Sequence, residues 1–400
     1  MASELRHAIE VTPVVVLTGA RQVGKSTLLR NELPFATWRY VTLDDHDALA
    51  QARSDPAELW AGTHAVVIDE AQRAPELLLA IKKHVDEHST PVRFVLSGSA
   101  NLLLMGAVSE TLAGRASYLR LGPLALGEAH GLPAPALVTK LLHGELPEEA
   151  TTEPLDPDPF IVRGLMPALL GFDEAAAVRW WEGYVATYLE RDLRQLAQVD
   201  ALTDFRRFMA AVALRSGSVL NQTDIAREIG ISQPTVHRYL NLLEASHVLT
   251  RVYGYAVSRT QRLSKRPKAY LFDVGGAAYL TGLHDAEAVR RSRERGGLLE
   301  GLVLQQLAAV AELMAPAARI HYWRTRTGAE VDFVVEHGRS LLPIEVKSTT
   351  SPGYGDVTRL KEFLRTYEDA RAGVLVHAGG EVVRLGERIV AVPWTMLAGR

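Results

Sequence analysis

The sequence reads Gly19-Ala20-Arg21-Gln22-Val23-Gly24-Lys25-Ser26-Thr27 just after an apolar, β-branched run, Val14–Leu17. The spacing of its glycines, lysine and serine, between a strand-like run and a helical segment, predicts a phosphate-binding P-loop. The two glycines let backbone amides curl around phosphates, and the helix that follows directs its positive end at them. Lys25 is expected to contact the β- and γ-phosphates, and the Ser26 hydroxyl to bind Mg²⁺. We therefore predict that residues 19–27 bind ATP.

A second strand-like run, Val66–Ile68, ends in two carboxylates, Asp69 and Glu70. Ligands of open α/β sheets gather at the carboxyl ends of the strands. Asp69 is therefore expected to hold Mg²⁺ through water, and Glu70 to polarise the water that attacks the γ-phosphate. A purely structural pair of carboxylates is the alternative.

Two further residues are candidates for the same reaction. Ser97 ends a third strand-like run, where it either positions the water or the γ-phosphate or belongs to an ordinary turn. Arg115 closes the stretch Leu112–Arg115. It is either a γ-phosphate sensor or arginine finger, a group that accelerates hydrolysis by about three to five orders of magnitude, or half of a surface ion pair.

Strand-like and helical segments alternate over the first 130 residues, which predicts a parallel sheet covered by helices on both faces. The predicted strands are Val14–Leu17, Ala65–Ile68 and Phe94–Leu96, and the predicted helices are Ser26–Asn31 and Glu76–Glu87. From Phe160 to Glu244 the spacing is helical. Beyond Gly296 it predicts a helix at Leu299–Leu313 and strands near Ile320–Trp323, Val331–Val335 and Leu341–Val346.

Length and composition set outer bounds. A chain of 400 residues predicts two or three domains. Its net charge of −3 means that a nucleic-acid surface would have to be a local basic patch. The lack of cysteine excludes disulfides, thiol catalysis and thiolate-bound zinc. No secretory signal or membrane-spanning run is recognised, so a soluble, cytoplasmic protein with no membrane contact is expected.

Several segments together resemble a known family, the bacterial and archaeal AAA-type ATPases that carry a C-terminal region of unknown function. The resemblance spans nearly the whole chain, and one departure from it is Ala20, where the family usually has proline. The segments that carry it are Gly19–Thr27, Val66–Gln72, Ser97–Ala100, Leu112–Arg115, Tyr188–Leu193, Trp323–Arg324 and Ile344–Lys347.

A helix-turn-helix is predicted between Gln222 and Leu240, with the turn at Gly230–Ser232. Its second helix would expose four polar side chains to DNA, Gln233, Thr235, His237 and Arg238. No acidic residue lies between Ala245 and Phe272, and this segment is expected to form a basic β-wing. The side chains expected to contact phosphates are Arg259, Arg262, Lys265 and Arg266, beside Arg251 and Lys268. The alternative is a winged helix used for packing or for binding a protein.

A third group of residues lies near the end of the sequence, where Asp332 precedes the triplet Glu345-Val346-Lys347. Residues two apart on a strand share a face, and Glu300 on an upstream helix is a further acidic ligand. Such oxygen donors suit Mg²⁺ or Mn²⁺, and Lys347 would orient or activate the water. The order resembles the PD-(D/E)xK nuclease superfamily. The alternatives are a non-cleaving nucleic-acid or metal-binding fold and a structural remnant in which Asp332 and Lys347 form a buried ion pair.

The sequence thus predicts an α/β protein in which a P-loop NTPase is followed by a winged-helix domain and a nuclease-like domain. The expected boundaries are 1–130 for the ATPase, 131–159 for an acidic, proline-rich linker, 160–285 for the helical and winged-helix domain and 286–400 for the nuclease-like domain. The favoured function is ATP-driven processing of DNA. The alternative is an ATP-dependent regulatory or signalling switch that binds a partner without cutting, and an oligomer is compatible with either.

Overall fold

The computed structural model describes residues 1–88, 91–98, 111–192 and 202–399. Ser99, Ala100 and Leu193, which carry part of the family resemblance, lie outside these ranges. The chain divides into two compact units. The first unit is Met1–Gly122 with Ala245–Val248, and the second unit is Pro123–Glu244 with Leu249–Arg400.

The first unit is built on a parallel sheet, which within the described residues has five strands in the order β2-β3-β4-β1-β5. These strands are β1 Val14–Thr18, β2 Arg39–Thr42, β3 Ala65–Asp69, β4 Arg93–Ser97 and β5 Ala116–Arg120. The helices of this unit are α1 Ala2–Val11, α2 Lys25–Asn31, α3 His46–Ser54 and α4 Leu77–Glu87.

The central strand β1 explains why this sheet has two covered faces. Val14 and Val16 belong to one hydrophobic cluster, whereas Val15 and Leu17 belong to another, because successive side chains of a strand point to opposite faces. Strands buried on both faces read as continuous apolar runs, and the three strands predicted from such runs are confirmed as β1, β3 and β4. The strands β2 and β5 were not predicted.

The second unit contains a mixed sheet of nine strands within the described residues, in the order β6-β13-β14-β12-β11-β10-β9-β7-β8. Its strands are β6 Ala150–Thr151, β7 Leu249–Gly254, β8 Lys268–Leu271, β9 Arg319–Arg324, β10 Glu330–His337, β11 Ser340–Lys347, β12 Gly373–His377, β13 Glu381–Gly386 and β14 Ile389–Pro393. Its helices are α5 Leu126–Ala129, α6 Leu137–Leu142, α7 Asp158–Arg163, α8 Glu174–Tyr184, α9 Leu202–Ala213, α10 Gln222–Ile229, α11 Gln233–Ala245, α12 Arg259–Ser264, α13 Val274–Leu280, α14 Ala286–Arg291, α15 Arg295–Glu312 and α16 Thr358–Thr366.

A tight hairpin joins β10 to β11 and fixes which side chains of the two strands are neighbours. Gly338 occupies the turn with φ +61°, a left-handed conformation that glycine adopts without steric cost. The antiparallel register places Phe333 opposite Ile344, so Asp332 and Glu345 follow on the adjacent positions. Strand β11 then pairs with β12 in parallel. The helix at α15 and the strands β9, β10 and β11 confirm the secondary structure predicted for this region.

Helices α10 and α11 are consecutive, and the first of them ends at Gly230, which has a left-handed conformation with φ +75°. Strands β7 and β8 follow and pair antiparallel. The prediction of a wholly β-wing was wrong in one respect, because Arg259–Ser264 between these strands is the helix α12. Strand β7 also pairs in parallel with β9. The expected boundary at residues 285 and 286 therefore runs through a continuous sheet.

The acidic, proline-rich segment expected to be a linker has structure of its own. Within residues 131–159, helix α6 buries Leu137, Val138, Leu141 and Leu142, and β6 pairs with β13 at the edge of the sheet. Asp158 is fully buried and forms ion pairs with Arg290 and Arg295. The backbone of β6 and the carboxylate of Asp158 thus have partners far along the chain.

Among the described residues, no helix is long and apolar enough to cross a membrane.

Candidate functional site

The P-loop of the first unit adopts a conformation that depends on its glycines. Gly24 has φ +96° and caps the N-terminus of α2, so the first backbone amides of that helix face the loop. Gly19 has φ +155°, and a Cβ atom added there would lie 2.2 Å from the carbonyl oxygen of Leu121. A side chain at position 19 is therefore sterically excluded. Gln22 also has a positive φ, of +62°.

Lys25 lies inside this loop. Its side chain is buried, and Nζ donates hydrogen bonds to the carbonyl oxygens of Gly19 at 3.1 Å and Ala20 at 2.9 Å. Burial lowers the pKa of Lys25 to about 8, although the carboxylates of Glu70 and Asp69 act in the opposite direction. The ammonium is thus held within the curve of the loop by two carbonyl oxygens, both of them from loop residues.

Asp69 is the residue on which the other polar side chains of this site converge. The Ser26 hydroxyl donates to Asp69 Oδ2 at 2.7 Å, and the Ser97 hydroxyl donates to Oδ1. Burial alone would raise the pKa of Asp69, but these hydrogen bonds, together with one from Tyr40, hold it below its ordinary value. Asp69 is therefore a charged carboxylate in a nearly closed environment. Ser97 contacts it directly, as expected for a residue at the end of the neighbouring strand.

Glu70 directly follows Asp69 and has a left-handed backbone with φ +55°. The Gln72 side-chain amide donates to its carboxylate. Burial, reinforced by Asp69, raises the pKa of Glu70 above the ordinary glutamate value. A basic carboxylate next to the Asp69 oxygens suits a group that accepts a proton from water.

Arg115 lies apart from this site and forms the surface ion pair that was the alternative to a γ-phosphate sensor or arginine finger. Its guanidinium forms a forked ion pair with Asp86, with Nη2 at 3.0 Å from Oδ2. Arg115 precedes β5, whose first residue Ala116 pairs with Val14 at the start of β1. It therefore lies at the amino ends of the strands, whereas the P-loop follows their carboxyl ends.

Two residues of the first unit were missed by the sequence analysis. The Tyr40 hydroxyl donates to Asp69, and the guanidinium of Arg30 lies over its ring at 4.3 Å from the centroid. His247, with φ +56°, approaches the Thr18 hydroxyl at 3.2 Å from Nε2. Tyr40 lies on a strand that no apolar run marks, and His247 lies more than 200 residues from the loop, so no local pattern indicates either.

The carboxylates predicted to form a nuclease-like site in the second unit do come together. Asp332 on β10 accepts a hydrogen bond from the backbone amide of Val346 at 2.9 Å, which fixes it beside Glu345 on β11. Glu300 on α15 and Glu330 on β10 complete the group. Glu345 is fully buried, and burial, followed by the charge of Asp332, raises its pKa.

A lysine that the sequence analysis assigned to the wing stands among these carboxylates. Lys268 of β8 is 1% exposed, and its Nζ lies 2.6 Å from Glu330, 3.3 Å from Glu300 and 3.6 Å from Asp332. Burial acts against its charge, but the three carboxylates outweigh burial and hold the pKa of Lys268 above the ordinary lysine value. Lys268 is therefore a buried cation.

The remaining cations of the cluster also differ from expectation. Lys347 lies 2.7 Å from Glu345 Oε1, and Arg359 lies 3.2 Å from the same oxygen. The buried Asp332–Lys347 pair considered as a structural alternative is therefore wrong, since Asp332 is paired with Lys268. Among the described residues, no three histidine or carboxylate side chains are arranged to hold a metal ion, so the metal-ligand set Glu300, Asp332 and Glu345 is not found as such.

The predicted recognition helix exposes most of the side chains assigned to it. Gln233, His237 and Arg238 are exposed and Thr235 is half-buried, while Val236, Tyr239 and Leu240 on the opposite face are buried. The Ser232 hydroxyl accepts a hydrogen bond from the backbone amide of Thr235 at 3.3 Å and so caps the helix.

The basic side chains of the wing are largely engaged within the second unit. Arg262 forms a bidentate pair with Glu336 at 2.7 and 3.0 Å, and Lys265 donates to the Tyr255 carbonyl at 2.8 Å. Both of these side chains, which were expected to contact phosphates, are therefore held by internal partners. Arg266 is exposed, and the side chain of Arg259 lies outside the described part.

Three family models match separate parts of this chain. A model of the AAA domain matches residues 11–130, and models of two domains of unknown function, DUF8612 and DUF4143, match residues 156–287 and 295–397. The Walker-type ATPase PABY2304 of Pyrococcus abyssi is 17% identical, with 70% of this chain and 94% of that chain covered and a TM-score of 0.45. At that TM-score the likeness carries no further conclusion.

Two mycobacterial relatives align along almost the whole sequence. The uncharacterized proteins Rv2008c of Mycobacterium tuberculosis and Mb2031c of Mycobacterium bovis are each 33% identical over 394 residues, which covers 98% of this chain and 82% of each relative. The chain therefore belongs to the family of these mycobacterial proteins and carries an AAA-type P-loop ATPase domain within residues 11–130.

Proposed function

We propose that this chain binds ATP with Mg²⁺ at residues 19–27 and hydrolyses it. The observation that supports this most strongly is the convergence of Ser26 and Ser97 on the buried carboxylate of Asp69. A hydroxyl and a carboxylate oxygen at a strand end form the hard donor set that Mg²⁺ prefers. Ser26 would bind the ion directly and Asp69 through water, and the bound ion would neutralise charge on the β- and γ-phosphates.

The other residues of the site have separate roles in this proposal. The Lys25 ammonium and the amides at the start of α2 bind phosphate oxygens. Glu70, whose pKa is raised by burial, orients the attacking water and accepts its proton. Ser97 and Tyr40 keep Asp69 oriented, since both donate to its carboxylate.

Steady-state ATPase assays on matched variants test this proposal. Lys25→Ala should lose ATP binding, whereas Glu70→Gln should keep it and lose about two to four orders of magnitude in turnover, the contribution typical of general base catalysis. Glu87→Gln, at an exposed carboxylate on α4, is the control and should match the wild type. An unchanged rate in Glu70→Gln would rule out its role as the base.

We propose in second place that the exposed face of α11 contacts DNA. The exposure of Gln233, His237 and Arg238, and of Arg266 in the wing, supports this, whereas Arg262 and Lys265 are engaged in internal contacts. The salt dependence of DNA binding should therefore be shallow, because the log–log slope grows by only about 0.9 for each phosphate that a basic side chain neutralises. Arg238→Glu should weaken binding, and Arg227→Glu on the preceding helix serves as the control of equal charge change. Equal affinities of the two variants would contradict a DNA surface on α11.

For the remainder of the second unit we propose the non-cleaving alternative. The predicted nuclease chemistry requires a divalent ion among Glu300, Asp332 and Glu345, and the Lys268 ammonium lies 3.3 Å from the first and 3.6 Å from the second of these. The protein then acts as an ATP-dependent switch whose second unit binds DNA or a protein partner. Retention of plasmid DNA intact in Mg²⁺ and Mn²⁺ is the expected result, and nicking that disappears in Asp332→Asn would contradict it.

A further inference from the structure

Three carboxylates of the second unit surround one buried ammonium. Glu300 reaches it from α15, whereas Glu330 and Asp332 reach it from β10, and their distances to Lys268 Nζ are 3.3, 2.6 and 3.6 Å. We propose that the Lys268 side chain is the resident cation of this carboxylate cluster and takes the place that a divalent metal ion would occupy. The proposal does not depend on ATP hydrolysis, since none of these residues belongs to the P-loop site.

The cluster contains as many cationic side chains as carboxyl groups, with no metal ion among them. Its four carboxylates belong to Glu300, Glu330, Asp332 and Glu345, and its four cations belong to Lys268, Arg324, Lys347 and Arg359. A metal-binding site of this kind would carry an excess of negative charge, because the divalent ion supplies the compensation. Here each carboxylate already has a cation within 3.6 Å.

The donor geometry points in the same direction. An ammonium has three N–H donors, and three carboxylates lie around Lys268. Tyr270, two residues along β8, donates to Glu300 at 2.8 Å, so one strand supplies both the cation and a donor that orients one of its partners. A divalent ion brought to the same carboxylates would stand a few ångströms from the ammonium, where repulsion between buried like charges is large.

The arrangement also gives Lys268 a structural consequence. The ion pairs join β8 to β10, which are separated in the sheet by β7 and β9, and they join both to α15. Removal of the ammonium would leave buried carboxylates unpaired, which is strongly destabilising. Removal of the ammonium would also leave the cluster with an excess of negative charge, which favours the binding of a divalent cation. The cluster is thus a group of carboxylates whose cation is a lysine side chain, and loss of that lysine would leave them free to bind a metal ion.

Manganese binding to the nucleotide-free protein tests this inference directly. Titration of Mn²⁺ into the wild type, followed by electron paramagnetic resonance of the free ion, should show no binding that depends on Asp332, so wild type and Asp332→Asn should give the same curve. Lys268→Met should gain one Mn²⁺ site, and this site should disappear in the double variant Lys268→Met/Asp332→Asn. Thermal melting with circular dichroism should show a lower Tm for Lys268→Met that Mn²⁺ raises again.

Two outcomes would overturn the inference. One is Asp332-dependent Mn²⁺ binding in the wild type, which needs no variant at position 268 and so is decisive even if Lys268→Met does not fold. The other is a folded Lys268→Met that gains no Mn²⁺ site, because the lysine would then not stand at a metal position. Lys268→Arg, which keeps the charge, should bind no Mn²⁺ and is the matched control for the substitution.

Discussion

The affinity for ATP is expected to fall as the pH is raised from 7 to 9, because Lys25 loses its proton in the free protein. Burial lowers the pKa of Lys25 to about 8, so the ammonium is about nine-tenths populated at pH 7 and about one-tenth at pH 9. Only the charged form binds the phosphates well. The deprotonated protein must therefore take up a proton first, which weakens apparent affinity about tenfold over this interval, or about 1.4 kcal/mol.

The affinity for ATP falls as the pH rises because the bound triphosphate raises the pKa of Lys25. A triphosphate next to Lys25 favours its charged form, so the pKa in the complex lies above that of the free protein. Nearly full affinity is present at pH 7 and is lost as the pH rises through about 8. Isothermal titration with Mg-ATP in two buffers of different ionisation enthalpy measures the effect. The uptake should be about half a proton per ATP bound at pH 8.

Lys25→Arg provides the control, because a guanidinium remains charged throughout this range. Its affinity is expected to be lower than that of the wild type but flat between pH 7 and pH 9. A wild-type affinity that is equally flat, with no proton uptake, would refute the reasoning, since Lys25 would then bind ATP without a titration near neutral pH.

Three further predictions concern residues whose partners are now known. Arg115→Ala should leave the ATPase rate within about twofold of the wild type, because Arg115 pairs with Asp86 at the amino ends of the strands. A rate lower by about three orders of magnitude, the loss expected when an arginine finger is removed, would contradict this prediction. Ser97→Ala should lower the free energy of unfolding by about 1.5–3 kcal/mol, the contribution of a hydrogen bond to a charged group, and urea denaturation measures this; an unchanged midpoint would mean that the bond to Asp69 contributes nothing. Asp273 is buried and accepts hydrogen bonds from the backbone amides of Leu165 and Gly275. Burial raises the pKa of Asp273 from 3.8 to about 6, so its contribution to stability is full below pH 3.8 and is lost as the pH rises through 6. The stability of the wild type relative to Asp273→Asn should therefore fall by about 3 kcal/mol over that interval, and parallel pH profiles of the two proteins would exclude it.

The parts of the first unit that were predicted correctly are those with a strong local signal. Residues 19–27 combine fixed spacing with required conformations, and β1, β3 and β4 are apolar because both faces of the sheet are covered. Strand β2 reads Arg39-Tyr40-Val41-Thr42 and is only partly buried, so its sequence lacks that signal. The role of Tyr40 was missed for the same reason.

The second unit shows what composition cannot predict. The basic segment after Ala245 was counted as free positive charge, but Arg262 is paired with Glu336 and Lys268 with Glu330. These carboxylates lie far along the chain, and only the register of the sheet brings them to the lysine and arginine. Local charge indicates a DNA surface only where no distant residue neutralises it.

The pairing of β7 with β9 limits how the second unit can be divided into separately expressed fragments. The matched regions 156–287 and 295–397 could be expressed as separate fragments. A cut between them would, however, separate β7 from β9. The fragment beginning at residue 295 would present a bare edge of β9, which is a template for aggregation. It would also hold carboxylates that have lost Lys268. The two regions are therefore expected to fold together and to be purified together.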